Sequence, residues 1–146
     1  MFLTDDVKIT KVSVATAAGV TTIDSSPVDM SGYDGVVFLT TVLAITAGAG
    51  TSMKAQQDVV VGMGGAADLT GTGITIADDD DNQSFWLDIQ RPVERFVRCR
   101  ILRATQNSAF GEIYAIQYRA RTRPQNNNVV DTITGEKWGS PIEGTA

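Results

Sequence analysis

At 146 residues the chain fits one domain, large enough to bury roughly 68–70% of its unfolded surface without help from a metal or disulfide. A hydrophobic content of 42% excludes wholesale disorder, and the single Cys99 excludes a disulfide framework within the chain. The net charge of −5 argues against nucleic-acid binding, and the absence of histidine removes His-based triads, most zinc sites and most neutral-pH acid–base pairs.

Met1–Asp6 has no basic region leading into an apolar one, so no signal peptide is expected, and residues 1–6 read as an N-terminal arm. No apolar run reaches the ~18–20 residues of a membrane-spanning helix. Val7–Val14 alternates with period two, as a half-buried strand does. Ala17-Ala18-Gly19 reads as a turn and Val20–Ile23 as a second strand, broken at Asp24–Pro27. Val36–Ile45 is almost entirely apolar or Thr and predicts a central strand covered on both faces. Ala47–Gly50 reads as a hairpin tip, followed by a strand from Thr51 to Gln57. The glycines at 62, 64 and 65 predict a loop, with a helical turn at Ala66–Leu69, before a short strand at Gly73–Ile76.

Three stronger strands follow. Ser84–Gln90 sets Phe85, Leu87 and Ile89 against Trp86, Asp88 and Gln90, and Arg91-Pro92 turns the chain. Arg95–Arg103 sets Val97, Cys99 and Ile101 against Arg98 and Arg100, with Arg103 expected on the solvent face beside them. Cys99, between apolar neighbours, reads as a buried structural thiol. Gln106-Asn107-Ser108 reads as a hairpin loop leading to a strand at Phe110–Arg119. About eight strands, short loops and no βαβ spacing predict an all-β fold, an antiparallel sandwich or jelly roll spanning 7–124. Beyond Pro124, Val129, Val130, Ile133, Trp138, Pro141 and Ile142 are spread along a polar tail, so 125–146 reads as an extended C-terminal arm with Trp138 as its anchor.

Charge is divided unevenly. All eight arginines lie between Arg91 and Arg123 with only Glu94 and Glu112, a formal +6, while the remaining residues carry −11. Arg suits interfacial carboxylate pairs better than Lys, so Arg95, Arg98, Arg100, Arg103, Arg119 and Arg121 are candidate interface residues. The run Asp78, Asp79, Asp80, Asp81 is their natural acidic partner from a neighbouring subunit; alone it reads as a solvated turn, and it lacks the EF-hand pattern of a Ca²⁺ loop. Phe2 and Trp138 are candidate arm anchors. Asp88 with Glu94 or Glu112 could form a carboxylate pair of the glycosidase kind, but a cross-strand ion pair with a neighbouring Arg is the better reading of Asp88. No enzyme activity, cofactor or metal is expected.

The run from Val12 to Phe38 resembles a family of small proteins encoded among tailed-bacteriophage virion genes. The likeness continues at Ala77–Asn82, Arg91–Arg98 and Ala115–Pro124, covering most of 7–124. In size and texture the family is similar to jelly-roll capsid decoration, or cement, proteins. The resemblance implies a virion component on the capsid exterior, made in the bacterial cytoplasm, whose partners are the major capsid protein and copies of itself. A homotrimer at threefold positions is the expected assembly, with a dimer as the alternative. A neck, tail or vertex component shares the same texture. A carbohydrate-binding jelly roll, with Trp86, Tyr114 and Tyr118 as its aromatic platform, is the other alternative, although each of the three equally fills a sandwich core or interface.

Overall fold

Alternation decides which way each strand faces, and the long strands alternate cleanly. In the computed structural model, which describes residues 1–129, 131–140 and 142–144, Val97, Cys99 and Ile101 are fully buried. They share one core with Val36, Phe38 and Val42 of a second strand and Phe110, Ile113 and Ala115 of a third. Val130 and Pro141 of the expected C-terminal arm lie outside the described residues.

The elements in chain order are α1 (Leu3–Asp6), β1 (Lys8–Ser13), β2 (Thr16–Gly19), β3 (Ile23–Asp24), β4 (Val28–Asp29), β5 (Gly35–Ile45), β6 (Gly50–Asp58), β7 (Ala67–Asp68), β8 (Ile74–Ile76), β9 (Ser84–Gln90), β10 (Phe96–Ala104) and β11 (Ser108–Tyr118). A front sheet runs β1-β11-β5-β9, with β2 also on β11. A back sheet runs β3-β10-β6-β7, with β4 also on β10 and β8 also on β6. All pairings are antiparallel. The short strands share neighbours in pairs (β1 with β2, β3 with β4, β7 with β8), so the strands fill eight positions. The first position pairs with the eighth, the second with the seventh, the third with the sixth and the fourth with the fifth. That is one long hairpin rolled into two sheets, the winding of a jelly roll. The all-β sandwich expected from the sequence is the fold.

Asp58 holds the turn of this rolled hairpin. Its carboxylate accepts the amides of Val60 (3.1 Å) and Gly65 (2.8 Å). The helical turn expected at Ala66–Leu69 is instead β7, because Gln56 and Gln57 of β6 pair with Asp68 and Ala67. The turn expected at Ala17–Gly19 is β2, which pairs with β11, and the strand expected at Val20–Ile23 shrinks to Ile23–Asp24. Ala47–Gly50 and Gln106–Ser108 are not hairpins. The first joins β5 to β6 and the second β10 to β11, and both cross from one sheet to the other. Loop residues look alike whether their strands pair or part.

The expected N-terminal arm is not extended. Residues 3–6 form one helical turn whose Asp5 and Asp6 carbonyls accept the amides of Gln125 and Ala120, and Asp6 pairs with Arg123. Asn127 ties the start of the C-terminal segment to the same place, donating to the carbonyls of Thr4 and Val7 (both 2.9 Å).

Arg103 overturns its expected placement. It has the same parity as Cys99 and Ile101, so it points inward and is 4% exposed. Its guanidinium donates to the carbonyls of Thr21 (2.6 Å), Ala17 (2.8 Å) and Ser108 (2.7 Å) and to the Thr21 hydroxyl (2.9 Å). A back-sheet side chain thereby satisfies three backbone carbonyls, two of them on front-sheet strands. Leaving buried acceptors bare costs ~1–3 kcal/mol each, so Arg103→Met should destabilise the domain by about 3 kcal/mol or more. Arg103→Lys should recover only part of that, because an ammonium lacks the planar fork. Urea unfolding of the two variants checks both values.

Candidate interaction surface: an open aromatic sheet face

The two outer faces of the sandwich carry opposite chemistry. On the back sheet, register places Asp24 beside Arg100 and Arg100 beside Lys54, with Arg98, Gln56 and Asp68 in the adjoining row. Arg100 grips Asp24 through two bonds (2.5 and 2.6 Å), and Arg98 donates twice to Gln56 Oε1 (2.9 and 2.8 Å) while lying 3.5 Å from Asp24. Lys54 and Gln56 both donate to Asp68 (2.6 and 2.7 Å). Arg95 makes a two-bond pair with Asp29 (3.0 and 2.7 Å) and stacks over Phe96, its guanidinium carbon 5.2 Å from the ring centre. Arg119 lies 3.8 Å from Asp34.

Most of the candidate interface arginines therefore have carboxylate or amide partners inside this chain, drawn from Asp24, Asp29, Asp34 and Gln56 rather than from the acidic run. Those acids lie far away in sequence, which is why the charge split looked like an intermolecular device. Arg91 and Arg121 are different: neither has an ion-pair partner among the described residues. With Tyr33 and Asp34 they line a cleft of about 300 Å³. Asp78, Asp80 and Asp81 act as turn anchors, accepting the amides of Gly48 (2.6 Å), Ala77 (2.7 Å) and Ile45 (2.6 Å). No cluster of three or more potential metal ligands occurs among the described residues.

The front sheet is apolar outside as well as inside. Register sets Lys11, Tyr114, Leu39 and Trp86 in one row across β1, β11, β5 and β9. The adjoining row is Ile9, Ile116, Val37 and Asp88. Trp86 is 61% exposed, Leu43 39% and Leu39 36%. The expectation that β5 is covered on both faces fails here, since of its outward residues only Gly35 is buried. The signal was present in the sequence: β5 is apolar at both parities, and Trp86 has the outward parity of its own strand. Toward β1 this face meets the C-terminal segment across a cleft of about 570 Å³ lined by Ile9, Asn127, Ile133 and Trp138. Neither proposed anchor is buried in its own chain: Trp138 is 69% exposed and Phe2 42%.

A tyrosine–carboxylate pair interrupts the apolar face. Tyr118 Oη donates to Asp88 Oδ1 (2.8 Å), so Asp88 serves a tyrosine and not the arginine expected from the sequence. Burial and then the Asp88 carboxylate push the Tyr118 pKa up to about 12. The ring crosses β5 at Gly35, which pairs with both Tyr118 and Gln90, and a methyl group on Gly35 would overlap the phenol. Cys99 is buried as expected, its thiol pKa pushed up to about 12 by burial and then by Asp24.

No protein-family model matches this chain, and no curated protein matches it. Among solved structures it is similar to a chain of the Bacillus endospore appendages, described as a novel family of disulfide-linked pili. The identity is 17% over 80% of this chain and 90% of that one, with a TM-score of 0.49. It is also similar to dimeric latent PorU from Porphyromonas gingivalis, at 10% identity over 80% of this chain and 13% of that one, with a TM-score of 0.43. Neither likeness bears on what this chain does.

Gly35→Ala should cost about 1–3 kcal/mol by overpacking, and the cost should vanish in a Tyr118→Ala background, which a double-mutant cycle measures. The Arg100 hydrogen bond holds the Asp24 carboxyl below its ordinary 3.8, and Arg95 does the same for Asp29. Stability from a depressed carboxyl is present above its unfolded pKa and lost as pH falls through the folded value. With no histidine to titrate, the melting temperature should be flat from about pH 8 to about pH 5 and fall below about pH 4. Asp24→Asn should lower the plateau and flatten the acid slope.

Proposed function

We propose that this protein is a non-enzymatic structural subunit of a bacteriophage particle, a decoration or cement protein that binds the outer capsid shell. The exposed row of Leu39 and Trp86, flanked by Tyr114, carries this reading. Large exposed apolar patches on a rigid body are characteristic of protein contact sites, and Trp is the most enriched anchor at such sites. A stiff sandwich with a neutralised charged back and an apolar front suits repeated, chemistry-free contacts on a lattice. The resemblance of most of residues 7–124 to phage virion proteins supports the setting, and the exposed Trp138 and Phe2 supply further anchors for neighbouring subunits.

The same aromatic face supports one other reading, a glycan platform, because a flat exposed Trp86 stacks on a sugar ring as readily as on a side chain. Binding of the purified chain to undecorated capsids separates the two. A copy number near that of the major capsid protein is expected, with Trp86→Ala weakening binding by about 30-fold, the scale of a hot-spot residue. A few copies per particle, or unchanged binding by Trp86→Ala, contradicts the decoration role. Glycan binding that Trp86→Ala abolishes favours the platform.

A further inference from the structure

None of the described residues covers the β9 edge of the front sheet, and the parity of that edge can be read from the bonds that bracket it. At one end the Arg91 amide donates to the Asp34 carbonyl (2.7 Å), and at the other the Val42 amide donates to the Gln83 carbonyl (2.8 Å). Bonded and non-bonded pairs alternate along an antiparallel ladder. With the observed register, the bonded pairs are therefore Val36 with Ile89, Phe38 with Leu87 and Thr40 with Phe85. Ser84, Trp86, Asp88 and Gln90 consequently turn their amides and carbonyls away from β5. None of those groups meets a backbone or side-chain partner among the described residues.

Other edges of the sandwich are blunted. The Ile9 amide on β1 is taken by Asn127 Oδ1 (2.7 Å), and β3, β4, β7 and β8 are two or three residues long. β9 runs for seven residues with no lysine or proline, and its one charge, Asp88, is engaged by Tyr118. Long uncharged edges invite another strand. Phe85 and Ile89, inward-facing but only partly buried, add apolar surface beside the edge.

We infer that β9 pairs with β9 of a second copy, antiparallel about a twofold axis at Leu87. That register matches Trp86 with Asp88, Phe85 with Ile89 and Ser84 with Gln90 of the other copy. The outward-facing residues then meet one another as bonded pairs, and the two front sheets become one continuous sheet. Charge selects a second copy as the occupant. Antiparallel pairing brings the acidic loop Asp78–Asp81, which precedes β9, alongside the arch that follows β9 in the partner. That arch opens with Arg91, which has no ion-pair partner among the described residues and shares its cleft with Arg121, and these two arginines outweigh the one acid of the arch, Glu94. The contact occurs twice by symmetry and leaves neither β9 edge free. Arg91 holds a left-handed backbone (φ 50°), an unfavourable conformation for a side chain of its size, at the point where this arch begins. The inference does not depend on a virion role, and it favours the dimer, the alternative expected from the sequence, over the threefold assembly.

Sedimentation velocity on the full chain tests it, using pairs that touch only in the proposed register. The wild type should be a dimer at about 50 μM. Ser84→Lys/Gln90→Lys sets like charges opposite each other on the exposed face and should weaken association at least tenfold, with the circular dichroism unchanged. Ser84→Lys/Gln90→Glu sets opposite charges together and should restore the dimer. A monomeric or trimeric wild type overturns the inference, as does equal association of the two double variants. Should either variant misfold, amide exchange in the wild type decides. Ser84, Trp86, Asp88 and Gln90 should gain protection as concentration rises, and exchange independent of concentration at those amides rules the pairing out.

Discussion

A guanidinium inside the sandwich sets the terms for everything around it. Arg103 follows Val97, Cys99 and Ile101 inward along β10, and its donors reach carbonyls on β2, on β11 and in the link at Thr21. A back-sheet strand thus fixes the position of two front-sheet strands at one end of the core. The interaction is directional, so it specifies the sheets' relative placement in a way that apolar packing alone does not. With that end pinned, the rolled hairpin has one arrangement, and the outward residues of every long strand are assigned by parity.

What parity leaves outside differs between the sheets. The back face is a lattice of ion pairs and amide bonds that satisfies itself, and exposed pairs of this kind add little stability each. Their effect is to make that face poor in free charge and poor in apolar surface at once. The front face is the reverse, with Trp86, Leu39 and Leu43 in water and the β9 edge unpaired. Contact surface is concentrated on one sheet, which gives the molecule a front and a back. Tyr118 and Asp88 stiffen that front, and Gly35 is what lets the phenol cross the middle strand.

Much of the fold was legible in the residues because period-two alternation is local. β1, β5, β9, β10 and β11 fall close to their expected places, and the buried parity of Val97, Cys99 and Ile101 was plain. The failures have a common cause in partners distant along the chain. β2 and β7 look like turns until β11 and β6 supply their ladders, and the loops at 47–50 and 106–108 do not encode whether their strands pair. The arginines looked free because Asp24 and Asp29 lie some seventy residues earlier, at separations of 76 and 66. Arg103 is a different kind of failure. Its parity points inward, while its charge points to solvent, and in the fold parity wins. For the candidate surface, the sequence leaves Trp86 open between a glycan platform and a core or interface aromatic, while an all-apolar β5 reads as doubly covered and so hides Leu39 and Leu43.

Oxidative footprinting of the chain, free and in its assembled state, addresses the front-and-back claim most directly. Trp86, Leu39 and Tyr114 should be modified readily in the free chain and protected on assembly, while Lys54, Arg98 and Arg100 on the back face keep their accessibility. Equal oxidation of Trp86 in both states, with protection falling instead on the back face, would contradict the account.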